Sequence, residues 1–376
     1  MKKVENIAYA GLTRFIENGE GEKELLLWVE NDLSKTSFSY SYFETMSNRI
    51  AGILQEIGVN PGDTVSLFIP RSPMLISCFF AVLKNAAISS ILFSTLGEAG
   101  LLDRLSNSNA RVIITKKSLL RKIISIKHQL PTLERILVVD IDEDQNDHVL
   151  SLKRLLSKSS SAFDYPHSLD AETPAFLQYT SGSTGKPKGA LHVHGAIADI
   201  EKSFKEIMQL QADDLYWCTA DPAWITGLVY GIIAPFTTAA RQLQYNGTYN
   251  ADNWLKLLEQ EKVTVWYTAP TALRMLMQEE ESKFSQRDFQ HLKRMYSVGE
   301  PLNPEIYHWG KRIFGVEVYD NWWQSETGSM MIANRPPMKV KPGSMGKPRE
   351  GIESFICDEN MRLLPPGKQG LLCLHK

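Results

Sequence analysis

The sequence predicts an α/β protein in which layered βαβ subdomains carry mixed or parallel sheets flanked by helices. In the first part of the 376-residue chain, short apolar runs typical of buried strands alternate with segments of helical periodicity. The same alternation resumes after Pro174. With 43% hydrophobic and 22% charged residues, the chain has enough apolar surface for a large core without a disulfide or a metal. This composition excludes collagen-like, low-complexity and wholly disordered proteins.

The first predicted elements follow from capping and turn signals. Ser41 and Glu44 have the spacing of a capping box, so they predict the start of a helix whose apolar residues share one face. Turn residues at 60–63 precede a predicted buried strand over 64–69. The other elements predicted in this part are helices over 73–85 and around 101–105, and strands over 88–93, 111–115 and 137–139.

A Ser-rich, aperiodic stretch over 157–168 predicts a surface linker between two βαβ regions. After it, the sequence predicts strands over 175–178, 263–266, 295–298 and 316–319, and helices over 254–261, 271–279 and 304–314. The stretch 223–240 carries no charge, but it is barely long enough to span a bilayer, so a buried helix followed by a turn is predicted there.

Charge and cysteine usage narrow the functional classes. The 41 Lys and Arg residues nearly balance the 43 Asp and Glu residues, which argues against a nucleic-acid-binding protein. The four cysteines form no CxxC pair, so a zinc knuckle or a disulfide framework is not expected. His192 and His194 have a metal-like spacing but no third ligand nearby, which favours a structural role. No apolar signal segment follows the first residues, and we expect a cytoplasmic protein that binds no membrane.

The most informative segment is the Gly/Ser/Thr-rich loop over 179–189, which follows a predicted strand. Its glycines let the backbone approach an anion closely, and successive N–H groups can form an anion-binding concavity. Hydroxyls and the cations of Lys186 and Lys188 would offset the charge of a polyphosphate. Two residues separate Gly182 from Gly185, whereas a Walker A loop needs four between its glycines, so the P-loop class is excluded.

This loop resembles the phosphate loop of the adenylate-forming (AMP-forming) acyl-CoA synthetase family. Further segments resemble markers of that family in the same order, namely 216–221 with 224–227, 267–272, 297–302, 320–328 and 342–346. The pair Trp322–Trp323 is similar to the double-tryptophan motif of the acetyl-CoA synthetases within that family. The resemblance implies the layered α/β fold of the family's large N-terminal domain.

The resemblance also implies a two-step reaction. A carboxylate, acetate in this case, attacks the α-phosphate of Mg-ATP to give acyl-adenylate and pyrophosphate, and the CoA thiol then displaces AMP. The implied ligands are therefore acetate, ATP, CoA and Mg²⁺. The implied catalytic residues are Thr184, Lys186, Ser325 and Glu326, with Glu326 as the Mg²⁺ ligand. Ser325 stands where the family usually has Thr, and it keeps the hydroxyl donor.

The binding residues are likewise implied by position within the matching segments. ATP binding is expected at Thr180, Ser181, Gly182, Ser183, Thr184, Gly185, Lys186, Gly299, Glu300, Pro301, Asp320, Asn321, Trp322, Trp323, Gln324 and Ser325. The acyl pocket is expected at Trp224, Ile225, Thr226 and Trp323, and CoA binding at Thr226 and Asn250. The Trp323 indole would close the pocket floor and leave room for two or three carbons, as it does in acetyl-CoA synthetases.

The resemblance covers the large domain only, over 1–376. Its subdomains are expected at about 1–156 and 169–345, with the start of a third, β-rich subdomain at about 346–376. The markers of the family's C-terminal small domain are not found, so we expect this chain to be weak or inactive alone, or to be completed by a separate polypeptide. Ala87, Ala239 and Ser329 stand where the family often has Gly. Two alternatives stay open: a catalytically inactive nucleotide- or acyl-binding fragment, and a synthetase for a longer or aromatic acid.

Overall fold

The computed structural model describes residues 2–180 and 186–375, and these divide into two compact units. Unit 1 comprises Met1–Glu201 and Ala212–Asn250, and unit 2 comprises Lys202–Gln211 and Ala251–Lys376. Both units combine strands with helices, which confirms the predicted α/β class. The sequence predicts three subdomains, with boundaries near 156 and 345. The two compact units divide the chain at other positions, so these boundaries stay a prediction.

Unit 1 is built around a seven-stranded sheet. The strands of unit 1 are β1 (Lys3–Glu5), β2 (Glu24–Val29), β3 (Lys35–Ser39), β4 (Thr64–Phe68), β5 (Ile88–Ile91), β6 (Val112–Thr115), β7 (Arg135–Val138), β8 (Val149–Ser151), β9 (Ser168–Asp170), β10 (Pro174–Thr180), β11 (Lys188–Val193), β12 (Tyr216–Cys218) and β13 (Gln242–Tyr245). The seven-stranded sheet has the order β11-β10-β5-β4-β6-β7-β8. Its neighbours pair in parallel except β10 with β11, so the sheet is mixed. Strands β12, β13 and β2 are also parallel, β3 closes an antiparallel hairpin with β2, and β1 pairs with β9.

Helices cover the seven-stranded sheet. The α-helices of unit 1 are α1 (Arg14–Glu17), α2 (Tyr40–Glu56), α3 (Pro73–Lys84), α4 (Glu98–Asn107), α5 (Lys117–Ile126) and α6 (Leu152–Leu156); α7 (Ile197–Met208) contributes residues to both units, and α8 (Ile225–Leu228) and α9 (Ala234–Thr237) follow. Leu105 of α4 and Ile123 of α5 join Ile113 and Ile136 of the strands in one fully buried apolar cluster. Parallel strands covered in this way need apolar residues on both faces, which explains their continuous hydrophobic runs.

Unit 2 contains five neighbouring strands of a second sheet and a separate hairpin. Its strands are β14 (Val265–Thr268), β15 (Arg294–Ser297), β16 (Val318–Trp322), β17 (Ile332–Ala333), β18 (Lys347–Pro348), β19 (Glu353–Cys357) and β20 (Leu371–His375). Its helices are α10 (Ala251–Gln260), α11 (Pro270–Met277), α12 (Ser282–Ser285) and α13 (Pro304–Phe314). Strands β14, β15 and β16 are parallel, β17 and β18 continue the sheet antiparallel, and β19 and β20 form a separate antiparallel hairpin.

Most predicted elements are present, but the predicted capping box is wrong. The helix α2 begins at Tyr40, and its N-cap is Ser39, whose side chain accepts a hydrogen bond from the Tyr42 N–H at 3.4 Å. Ser39 has the extended backbone that an N-cap requires, at φ −94° and ψ 171°. Glu44 does not turn back to the helix start, because its carboxylate binds Lys84.

The uncharged stretch 223–240 forms the predicted buried helical segment. It contains α8, a π-helical turn over Val229–Ile233 and α9, and most of these residues are fully buried. No helix in the described part of the chain is long and apolar enough to cross a membrane. Near the end of this stretch, after α9, Ala239 adopts φ +57°, the left-handed region that favours glycine, which agrees with the glycine that the family often has there.

A buried ion pair connects α2 to α3. The Lys84 side chain is fully buried, and its Nζ lies 2.8 Å from Glu44 Oε2 and 2.5 Å from Asn48 Oδ1. The same ammonium lies 5.1 Å from the ring centroid of Tyr165. Burial lowers the pKa of Lys84 to about 8, although the Glu44 carboxylate counteracts this by favouring the charged form. At neutral pH, Lys84 is therefore charged, and these partners stabilise the buried charge.

We expect Lys84→Met to destabilise unit 1 by about 3 kcal/mol, because it leaves the Glu44 carboxylate in a largely buried place without its cation. Urea unfolding at pH 7 would measure this loss, and the double variant Lys84→Met/Glu44→Gln should recover much of it. The matched control is Lys153→Met, which breaks the exposed pair with Asp142 and should leave the midpoint unchanged. A full loss in the double variant would contradict the electrostatic explanation.

A buried histidine anchors the N-terminal segment in unit 1. The Ile7 N–H donates to His194 Nδ1 at 3.1 Å, and the Asn6 side-chain amide donates to the Leu83 carbonyl at 2.9 Å. His194 is fully buried, and burial lowers its pKa to about 4. Since Nδ1 accepts a hydrogen bond, the folded state holds this imidazole neutral. The predicted structural role of His194 is confirmed.

The His194 imidazole should make stability fall on acidification. The unfolded state takes up the proton near pH 6.5 and the folded state only near pH 4. The stability that the neutral His194 imidazole contributes to the folded state is therefore fully present above pH 6.5 and is lost as the pH falls toward 4. We expect the difference in unfolding free energy between the wild type and His194→Gln to shrink by about 3 kcal/mol across that window. Urea unfolding at each pH measures it. The exposed control His128→Gln should retain the wild-type profile.

Candidate active site

A cavity of about 630 Å³ lies in unit 2, where β15 and β16 end. Its walls come from the turn after β15, the end of β16 and the loop before β18. The lining residues are Gly299, Glu300, Pro301, Asp320, Asn321, Trp322, Trp323, Lys341, Pro342, Gly343, Ser344, Met345 and Gly346. In open α/β sheets, ligands bind outside the carboxyl ends of the parallel strands, which is where this cavity lies.

A chain of hydrogen bonds holds the cavity floor. The Tyr267 hydroxyl donates to Asn321 Oδ1 at 3.0 Å, and the Asn321 amide donates to the Ser297 carbonyl at 2.9 Å. The Ser297 hydroxyl donates to Asp320 Oδ1 at 2.8 Å. These residues lie on the three neighbouring parallel strands, and the register places Ser297 beside Asp320. The network therefore follows from the alignment of the strands.

Asp320 is a buried carboxyl group at the edge of this cavity. Burial raises its pKa to about 6, while hydrogen bonds from the Ser297 hydroxyl and from the backbone N–H groups of Leu302 and Asn321 counteract the shift. A carboxyl group with this pKa is largely ionised at pH 7, and it is then an acceptor only. It can therefore recognise a hydrogen-bond donor on a ligand in the cavity.

The turn after β15 presents its backbone to the cavity. Gly299 has φ +91°, a conformation that a residue with a side chain rarely adopts. The carboxylate of the next residue, Glu300, is bound by Arg274 and by the Thr271 hydroxyl, both on α11. Arg274 in turn donates to Thr271 Oγ1 at 2.7 Å. These contacts fix the turn and leave its backbone available to a flat ligand.

The turn after β16 carries two of the implied catalytic residues. The Gln324 N–H donates to Thr327 Oγ1 at 3.1 Å, and the Thr327 hydroxyl donates back to the Gln324 carbonyl. Ser325 is half-buried on this turn, and Glu326 is exposed. No group of three or more His, Cys, Asp or Glu residues in the described ranges could hold a metal ion alone. Glu326 fits Mg²⁺ only as one carboxylate beside phosphate oxygens, which is how proteins usually bind this ion.

In unit 1, the predicted phosphate loop lies between β10 and β11. Thr180 is the last residue of β10 and pairs with Lys188 at the start of β11. The side chain of Lys186 is exposed. Five predicted site residues lie outside the described residues, namely Ser181, Gly182, Ser183, Thr184 and Gly185.

The predicted acyl segment of unit 1 lies at the start of α8. Trp224 is 59% exposed, and its ring meets Phe93 edge-on with 5.0 Å between centroids. Ile225 is buried and Thr226 half-buried, while Asn250 is exposed. The turn before Trp224 is tightly closed, since a side chain on Gly227 would collide with the Asp221 carbonyl. Trp323, the fourth predicted pocket residue, belongs to unit 2 and is only 9% exposed.

Unit 2 thus brings Gly299, Glu300 and Pro301 together with the predicted residues 320–323 around one cavity. Sequence reasoning assigned no site role to the loop 341–346, although its marker segment was noted. It also missed Arg274, Thr271 and Tyr267, which support the cavity from α11 and β14. The last two lie in the matching segment 267–272, so their position in that segment was the available signal.

The model of one protein family, described as AMP-binding enzyme, matches residues 17–376. The chain belongs to this family. Among relatives of this AMP-binding enzyme, an acetyl-coenzyme A synthetase of Bacillus subtilis (strain 168) is 38% identical over 99% of the chain. A Pseudomonas aeruginosa relative named acetyl-coenzyme A synthetase 2 is 32% identical over 98% of the chain. The chain spans only 64% and 60% of the lengths of these two relatives.

Two solved structures have the same fold as this chain. A Brucella canis acyl-CoA synthetase superposes with a TM-score of 0.91 at 23% identity, covering 99% of this chain and 67% of that one. An anthranilate CoA ligase in complex with anthranoyl-AMP superposes with a TM-score of 0.88 at 26% identity, covering 98% and 68%.

The buried Asp320 should make stability fall as the pH rises. Its pKa is about 6 in the folded state and 3.8 without the fold, so this contribution is complete below pH 3.8 and is lost as the pH rises through 6. As the pH rises from 4 to 7, we expect the unfolding free energy of the wild type to fall by up to about 3 kcal/mol relative to that of Asp320→Asn. Urea unfolding measures the difference. Glu359→Gln, at an exposed carboxylate of unit 2, is the control and should show no such change.

Proposed function

We propose that this chain activates acetate with ATP to give acetyl-AMP and pyrophosphate, and that the acetyl group then passes to CoA with release of AMP. The observation that carries this proposal is the unit 2 cavity, where 299–301 and 320–323 meet on a hydrogen-bonded frame. Both segments resemble markers of the adenylate-forming acyl-CoA synthetases, and the relatives are named acetyl-coenzyme A synthetase.

The nucleotide base is proposed to bind in this cavity. Gly299 and Pro301 offer backbone to the flat adenine, and Trp322, which is half-buried in the lining, is the stacking partner. The Asp320 carboxylate is an acceptor for the exocyclic amino group of adenine. A base with a carbonyl in place of that amino group would face the carboxylate without a donor, so adenine is the favoured base.

The phosphates and the metal ion are assigned to four polar side chains. Thr180 and Lys186, at the two sides of the phosphate loop, bind the phosphates by hydrogen bonding and charge. The Ser325 hydroxyl donates to the α-phosphate, where the negatively charged acid attacks. Glu326 holds Mg²⁺ together with phosphate oxygens, and this ion supplies positive charge where two anions must meet.

Acid selectivity is assigned mainly to Trp323. Its indole is buried in the cavity lining and forms a rigid wall. A longer acid would have to displace this side chain, at a cost in binding free energy. Trp224 and Ile225 are proposed to line the acyl pocket as well, and Thr226 and Asn250 to contact CoA. The proposed location is the cytoplasm, where all three substrates are small molecules in solution.

The relatives are longer than this chain by more than a third of their length. We therefore propose that residues outside this part, in the same or a separate polypeptide, complete the reaction, and that these 376 residues alone turn over slowly. Binding of an adenylate mimic tests the site without requiring turnover, because it needs only the residues assigned above.

Trp323→Gly should open the pocket to longer acids. We expect its preference for a butyryl over an acetyl sulfamoyl-adenosine, a non-hydrolysable mimic of the acyl-adenylate, to rise by about 10- to 200-fold. Calorimetric titration of the 376-residue chain measures both affinities. The control Trp322→Gly should weaken both mimics to a similar degree, since this residue is assigned to the adenine.

Two other outcomes would favour the alternatives. A wild-type chain that binds the anthranoyl mimic more tightly than the acetyl mimic would favour an aromatic substrate, as in the anthranilate CoA ligase of similar fold. Binding of the acetyl mimic without any pyrophosphate–ATP exchange, even after the remaining part of a full-length relative is fused to this chain, would favour an inactive binding protein. Equal binding of all acyl mimics by the wild type would contradict the role of Trp323.

A further inference from the structure

Two cysteines lie on one face of the β19/β20 hairpin, and neither lines the cavity. In the antiparallel register, Cys357 pairs with Leu371, and Cys373 pairs with Phe355. Since side chains two residues apart on a strand share a face, Cys357 and Cys373 are diagonal neighbours. The pair is not visible as a sequence motif, because a long loop separates the two strands.

The two thiols are in contact and differ in exposure. Both are free cysteines, Cys357 being only 4% exposed and Cys373 partly exposed. The Cys373 thiol donates to the Leu371 carbonyl at 3.8 Å, and its sulfur accepts a hydrogen bond from the Cys357 thiol. Burial raises the pKa of Cys357, and the hydrogen bond to Cys373 raises it further. Cys357 is therefore held as a thiol beside a more accessible sulfur.

We propose that Cys357 and Cys373 form a reversible disulfide when the protein meets hydrogen peroxide. The assignment rests on the hairpin alone and does not depend on the proposed function. Transient disulfides of this kind are compatible with a reducing compartment, where they act as redox-responsive bonds. The other two cysteines, Cys78 and Cys218, are buried in unit 1 and have no such neighbour in the described part of the chain.

The chemistry is balanced by one peroxide molecule. The more exposed Cys373 thiolate attacks one oxygen of hydrogen peroxide, the O–O bond breaks, and sulfenic acid and hydroxide form. The Cys357 sulfur then attacks the sulfenic sulfur, the S–S bond forms, and the sulfenic oxygen leaves as water with the Cys357 proton. Overall, two thiols and one peroxide give one disulfide and two waters. Thiols such as glutathione reverse the bond by exchange.

The hairpin has the freedom that this bond requires. A disulfide needs the two Cα atoms within about 7 Å, while diagonal neighbours lie at about 7–8 Å. Strands β19 and β20 form a two-stranded sheet, and such ribbons twist more freely than strands held on both sides. A small change of twist therefore brings the cysteines into range. The bond would close the loop 358–370, which carries the exposed side chains Met361 and Leu363.

The test is peroxide treatment of the full 376-residue chain. We expect two of the four free thiols to be lost, with a mass decrease of about 2 Da that dithiothreitol reverses. Peptide mapping without reductant should show Cys357 linked to Cys373 in the same chain. Cys357→Ser and Cys373→Ser should each abolish the link, whereas Cys78→Ala should retain it.

Alkylation of the untreated wild type is a second measurement that needs no variant to fold. Iodoacetamide should label Cys373 fastest before peroxide treatment, and neither hairpin cysteine afterwards. Sulfinic acid at Cys373 without a link to Cys357 would overturn the proposal. So would a disulfide between two chains, or oxidation spread evenly over all four cysteines.

Discussion

The cavity depends on the bond between the Ser297 hydroxyl and the Asp320 carboxylate. It joins β15 to β16 at the place where both strands end, and the Asn321 amide returns to the same strand by binding the Ser297 carbonyl. A buried carboxylate is tolerated only where donors surround it, so the network and the alignment of the parallel strands require each other. The turn at 299–301 leaves β15 from this frame, and residues 320–323 belong to the frame or follow it, so both segments line one cavity.

The fold could be predicted where local and tertiary preferences agree. The helix predicted over 304–314 is found as Pro304–Phe314, because Pro304 suits the first turn and Gly315 ends the helix at φ +70°. The capping box at Ser41 and Glu44 is predicted from spacing alone. It does not form, because the Glu44 carboxylate binds the buried Lys84 of another helix. The strand predicted over 263–266 begins at Val265, because pairing with Arg294 of β15 begins there. Apolar pattern places an element, but its neighbours decide where its pairing starts.

The site was only partly accessible to sequence reasoning. Segments that carry family markers could be named, and the structure gathers the unit 2 members along one cavity; their nucleotide role stays a prediction. The loop 341–346 reaches that cavity because β17 and β18 reverse the chain, a path that no local pattern indicates. Arg274 was missed for a similar reason: its contact with Glu300 joins a helix to a turn that follows the next strand. Chemistry-bearing residues are recognisable from sequence, whereas their supporting contacts come from the packing of distant elements.

The two buried titratable groups respond to acid in opposite senses. Burial lowers the pKa of His194 in unit 1, so the folded state disfavours protonation there. Burial raises the pKa of Asp320 in unit 2, so the folded state favours protonation of that carboxyl group. Mild acid therefore disfavours the folded state through His194 and favours it through Asp320. The pH of maximum stability therefore depends on the balance between these two groups and not on either group alone.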